Sequence, residues 1–150
     1  MYRNFILVVS ILVLGACSPK KSAESPENSL REYVSRTFAI DNVEDKNRLI
    51  ELTTGKVKAA ITTMSDADFQ RHFIDESKDF IGMKIKDERA LSDGRFSITY
   101  ELSFKNKTVN TEAKILTKKH AIFEKIDERW LISEVQSLKT VIEHQNEMSF

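Results

Sequence analysis

The chain holds a single cysteine, so no internal disulfide can form and packing must hold the fold together. Its four glycines, Gly15, Gly55, Gly82 and Gly94, never cluster. That spacing excludes a phosphate-cradling loop and a dinucleotide-binding fingerprint. A nucleophile elbow of the G-x-S-x-G type is also missing. The three histidines, His72, His120 and His144, have no partner at metal-ligand spacing. No metal and no cofactor are therefore expected. Lysine plus arginine and aspartate plus glutamate both total 23, for a formal net charge of +0. Without a basic excess, nucleic acid is not an expected partner. The one long apolar run, Phe5 to Leu14, is about half the roughly 20 residues that a spanning helix needs. What remains is a chain of 150 residues, 41% hydrophobic and 31% charged, with room for one folded domain.

Phe5 to Leu14, with Arg3 ahead of it, fits the apolar region of an export signal. Leu14-Gly15-Ala16-Cys17 follows and resembles the lipobox of bacterial lipoproteins, an aliphatic residue and two small ones before cysteine. The resemblance implies cleavage before Cys17, a diacylglycerol on its thiol and an acyl chain, of the palmitate kind, on the new amino group. Ser18 is not the aspartate that retains such proteins in the inner membrane, so the periplasmic face of the outer membrane is implied. Ser18 to Asn28 has no large apolar residue and contains both prolines, the composition of a flexible tether. The expected organisation is a signal peptide over 1–16, a lipidated tether over 17–28 and a folded domain over 29–150.

Ser29-Leu30-Arg31-Glu32 reads as a capping box opening a first helix. Leu30, Tyr33, Val34 and Phe38 then share one helical face. A second helical pattern covers about 43–52, with Asp41 or Asn42 as its cap. Gly55 predicts a kink or a new start. Val57, Ala60, Ile61 and Met64 continue the apolar stripe. Ser65-Asp66-Ala67-Asp68 opens a third helix, which sends Phe69 and Phe73 to the core and leaves His72 at the boundary.

From Phe80 the apolar period becomes two. Phe96 to Phe104 alternates without a break, as a strand buried on one face does. Strands are expected near 80–91, 95–105, 108–117, 120–126 and 130–138. Their turns fall at Asp93-Gly94, Asn106-Lys107, Lys118-Lys119 and Asp127-Glu128-Arg129, with Asp-Gly the strongest hairpin signal. Thr140 to Met148 reads as a last helical turn or a frayed end. Lys105, Lys107, Lys118 and Lys119 read as turn lysines that favour solubility and protect edges. Trp130 reads as a core anchor.

Helices followed by an antiparallel meander make an α+β fold, with N-terminal helices packed on a curved sheet. The helix order, the Leu52-Thr53-Thr54-Gly55-Lys56-Val57 joint, the long paired strands and Glu128-Arg129-Trp130-Leu131-Ile132 resemble the nuclear-transport-factor-2-like (cone-shaped, cystatin-like) superfamily. They resemble most its small bacterial lipoprotein members. Functions in that superfamily range over isomerases, dehydratases, binding modules and assembly adaptors, so the fold alone does not choose a chemistry.

Two-residue loops at three turns would align Asp87, Tyr100, Ala113 and Glu124 in one row on the apolar face. A polar band in an apolar surface is how pockets are often built, so Asp87, Tyr100 and Glu124 are the candidate ligand-binding residues. A bulge that turns either carboxylate outward is the competing expectation. The functional expectation is a lipid-anchored envelope protein, held to the membrane through Cys17, whose non-catalytic domain binds a protein or small molecule. The alternative is a small isomerase- or dehydratase-like enzyme, with Asp87 or Glu124 as base and Tyr100 as donor.

Overall fold

The computed structural model describes residues 25–76, 78–106 and 113–144. The segments assigned to the signal and to most of the tether, including Cys17, lie outside the described residues, as does most of the Asn106-Lys107 turn.

The first helix, α1 (Pro26–Phe38), starts a turn earlier than Ser29. Its cap is Ser25, whose hydroxyl accepts from the Asn28 backbone N–H at 3.1 Å. Pro26 follows naturally, because the first helical position needs no amide donor. Two (i, i+4) pairs, Glu27–Arg31 at 2.7 Å and Glu32–Arg36 at 2.6 Å, line its outer face. Ser29 is not a cap but a buried interior residue, and helix now begins inside the stretch read as tether.

A short 3-10 turn (Val43–Asp45) leads into α2 (Lys46–Ile50). Asn42 and Asp45 form a reciprocal capping box there, so of the two expected caps, Asp41 and Asn42, it is Asn42 that serves. The next helix, α3 (Gly55–Thr63), begins at the glycine. Gly55 has φ +49°, and a Cβ added to it would lie 3.2 Å from both the Cβ and the carbonyl oxygen of Ser133. Glycine is required twice here, for the left-handed backbone and for the close approach. The last helical segment, α4 (Asp66–Phe69), is capped by Ser65 and runs into a π turn (Gln70–Asp75).

Four strands follow, β1 (Lys78–Ala90), β2 (Phe96–Asn106), β3 (Ala113–Ile126) and β4 (Arg129–His144). They form one antiparallel sheet in sequence order. Gly94, at φ +82°, closes the β1–β2 turn by donating its N–H to Leu91 O. Asp127 and Glu128, both at positive φ, make a two-residue loop between β3 and β4, where Ile126 pairs with Arg129.

Several expectations for the strands fail, the first being the two-residue loop at Asp93-Gly94, since Ala90 and not Leu91 pairs with Phe96. Lys118-Lys119 is not a turn: the two short strands expected around it are one strand, β3. Thr140 to His144 is not a helical turn, since β4 continues to His144, and the rest of the stretch to Met148 lies outside the described residues.

The sheet's inner face carries Ile98, Tyr100 and Leu102 of β2, Ala121 and Phe123 of β3, and Ile132 of β4, all buried. Leu30 and Val34 of α1 close over them. Each fully buried leucine, isoleucine or phenylalanine side chain among them contributes about 1.5–3 kcal/mol. A second cluster, Ile40, Leu49, Ile61 and Phe69, ties the helices together, with Phe69 stacked on Phe73 at 4.7 Å. Trp130 packs edge-on against Phe96 at 6.0 Å beside the main core, the anchoring place expected for it. The joint before α3 protects the β4 edge: Thr54 N–H donates to Ile132 O at 2.8 Å and Ile132 N–H to Leu52 O at 3.1 Å.

Candidate functional site

Among the described residues, the helices do not cover the whole inner face. Cross-strand partners share a face, so the register fixes what lies beyond them. Next to the Tyr100–Lys119 row come Leu102–Thr117 and then Phe80–Phe104–Ile115–Ile142. That last row is apolar in all four strands, yet Phe80 is 48% and Ile142 54% exposed. Phe38, at the end of α1, reaches this row and packs on Phe80 and Phe104, with ring centroids 5.1 and 5.7 Å away.

Between α1, the π turn and the sheet lies a cavity of about 540 Å³. Tyr33, Phe38, Tyr100, Leu102, Phe104 and Lys119 form much of its wall. His72 and the acidic side chains Asp41 and Asp79 also line it, all on exposed residues. Tyr100 is only 1% exposed. Its hydroxyl has no hydrogen-bond partner among the described residues, where no unpartnered polar side-chain atom is sealed from water; the hydroxyl therefore opens on the cavity. Burial, with a smaller effect of neighbouring Tyr33, pushes the Tyr100 phenol well above its ordinary pKa. Tyr33 is raised as well, by burial against a partial offset from Thr37. Lys119 moves the other way: burial, then the charge of Lys78, lowers its pKa.

The expected polar row does not form. Tyr100 pairs with Ile85 and Lys119, not with Asp87 and Ala113. The β1–β2 loop is longer than two residues, with Ala90 and not Leu91 opposite Phe96, and this sets Asp87 opposite Thr99, on the outer face, where it pairs with Arg89 at 2.9 Å. Glu124 lies opposite Leu131, also on the outer face, and Ala113 pairs with Asn106 and His144. Of the three candidates only Tyr100 faces the cavity, so the structure separates both carboxylates from it.

Two cavity residues, Tyr33 and Lys119, escaped the sequence reading as site residues. The signal for Lys119 was parity. Ala113, Ile115, Thr117, Lys119, Ala121 and Phe123 alternate without a break, and a turn at Lys118-Lys119 would have interrupted that series.

No family model matches the chain, and no curated protein does. Among solved structures, it is similar to the solution structure of RPA3114, a SEC-C motif containing protein from Rhodopseudomonas palustris. The identity is 19% over 79% of this chain and 83% of that one, with a TM-score of 0.58. It is also similar to the intermembrane space region of the chloroplast protein ARC6, at 13% identity over 80% of this chain and 98% of that one, with a TM-score of 0.54. At these identities the likeness is one of fold, α+β with helices on an antiparallel sheet.

Proposed function

We propose that the chain is a lipid-anchored envelope protein whose domain, of the nuclear-transport-factor-2-like kind, is a binding module and not an enzyme. One observation carries the reading: the inner face of the sheet runs on past its helical cover as a cavity and an exposed apolar row. Exposed apolar surface of this kind is a mark of binding sites. The enzyme alternative needs a base beside Tyr100, and neither Asp87 nor Glu124 shares its face. The lipobox at Cys17 supports the anchor. On this reading the lipid keeps the domain at the membrane and the cavity engages a partner there.

The test places a photoreactive benzoylphenylalanine at Phe104 in the cavity wall or at Glu124 on the outer face, in the full chain within its own envelope. Adducts are expected from Phe104 and not from Glu124. Equal labelling from the two positions, or none from Phe104, contradicts the proposal. Mass spectrometry of the native chain is expected to find acyl mass on an N-terminal Cys17. A Cys17→Ser chain that partitions to membranes like the parent contradicts the anchor.

A further inference from the structure

Lys119 occupies a core-facing position in the middle of β3, opposite Tyr100. Its neighbours on the same face are Thr117 and Ala121, both buried. A half-buried ammonium is costly unless it is paired. Among the described residues no acid forms a salt bridge with it and no acceptor forms a hydrogen bond to it. Lys78, the other lysine lining the cavity, is engaged by Glu76 at 2.8 Å and adds positive field. The acids that line the space, Asp41 and Asp79, sit on exposed residues. The cavity thus has apolar walls, one half-buried cation without a counter-charge, and a tyrosine hydroxyl beside it. Its volume of about 540 Å³ lies within the range of small-molecule sites.

We propose that this cavity takes a molecule with an apolar body and one anionic group, a medium-chain carboxylate or its like, with the Lys119 ammonium as counter-charge and Tyr100 as hydrogen-bond donor. The proposal rests on the reading of the inner face as a binding site and names the ligand class. A carboxylate at this position supplies the missing partner to Lys119 and leaves its chain against Phe104, Phe38 and Leu102. A neutral amphiphile gains only the apolar contact. A cationic one meets Lys119 and Lys78 with the wrong sign.

The test is calorimetric titration of the full chain carrying Cys17→Ser, so that no acyl group competes. Octanoate, octanol and octylammonium are the probes. Octanoate is expected to bind at least fivefold more tightly than octanol, and octylammonium more weakly than either. Lys119→Met is expected to erase the octanoate preference while raising the melting temperature by a few degrees, because it removes an unpaired buried charge. A gain in stability with a loss of anion binding is not what a merely structural residue gives. Lys119→Arg is expected to keep the preference. A ratio below fivefold in the parent chain, or a preference that survives Lys119→Met, overturns the anionic ligand and leaves the binding reading standing. If none of the three probes binds at millimolar concentration, the anionic ligand and the binding reading both fall.

Discussion

The two ends of the inner sheet face are built from similar residues and put to different use. At one end Ile98, Ala121, Phe123 and Ile132 are fully buried beneath Leu30 and Val34. At the other end Phe80, Phe104, Ile115 and Ile142 also line up across four strands, but the outer two stand in solvent. Residue type does not distinguish the ends; the length of the helical cover does. α1 ends at Phe38, and the strands run on beyond it. An apolar row is core where an element closes over it and a candidate binding surface where, among the described residues, none does.

Substitution at each end is the most forceful way to break that contrast. Phe123→Ala, in the covered end, is expected to cost about 3–5 kcal/mol in chemical denaturation. A loss near 1 kcal/mol would mean that the covered end is not the core. Gly55→Ala is expected to rank next. Its φ of +49° and the 3.2 Å approach to Ser133 leave no relaxed place for a Cβ. A cost of about 1–2 kcal/mol or more is expected, read from the same denaturation curves.

The tyrosine between the two ends gives a pH test. Tyr100 holds its proton above the ordinary phenol value of 10.0, chiefly because it is buried. Its contribution to stability is complete below that value and is lost as pH rises above it toward the folded-state pKa. Tyr33 acts in the same direction. Lys119, with a lowered pKa, acts in the opposite one: between its folded value and 10.5 the unfolded chain binds more protons, so stability rises with pH. His72, Lys78, Asp41 and Asp79 complete the ionisable groups of the cavity. Tyr100→Phe is expected to remove about 1 kcal/mol of the alkaline loss at pH 11, compared with the same chain at pH 9. An unchanged alkaline limb would show that this phenol is not held neutral by burial. The smallest effect is expected in the open end, where Ile142→Ser should change stability by less than about 0.5 kcal/mol. A cost of several times that would mean that something covers the row.

The sequence carried the architecture further than the site. Unbroken alternation from Phe96 to Phe104 marked β2, and the Asp93-Gly94 and Asp127-Glu128-Arg129 signals placed two hairpins, though not their loop lengths, because these signals are local. The start of α1 was misplaced because Ser25 and Ser29 both offer a capping oxygen, and only packing shows that Ser29 is buried. The site row was misplaced because register is not local. A β1–β2 loop longer than two residues, a β2–β3 register that pairs Asn106 with Ala113, and the absence of a turn at Lys118-Lys119 shifted every pairing on which Asp87 and Glu124 depended. Tyr100 alone kept its expected face, since it belongs to the central alternating strand.

The contrast between the two ends is tested most directly by methyl chemical-shift mapping of the Cys17→Ser chain as octanoate is added. Shifts are expected at Leu102, Val135 and Ile74, which line the cavity, with Leu131 and Ile122 on the outer face unmoved. Shifts confined to Leu131 and Ile122, or spread evenly over both faces, would contradict a binding site at the open end of the sheet.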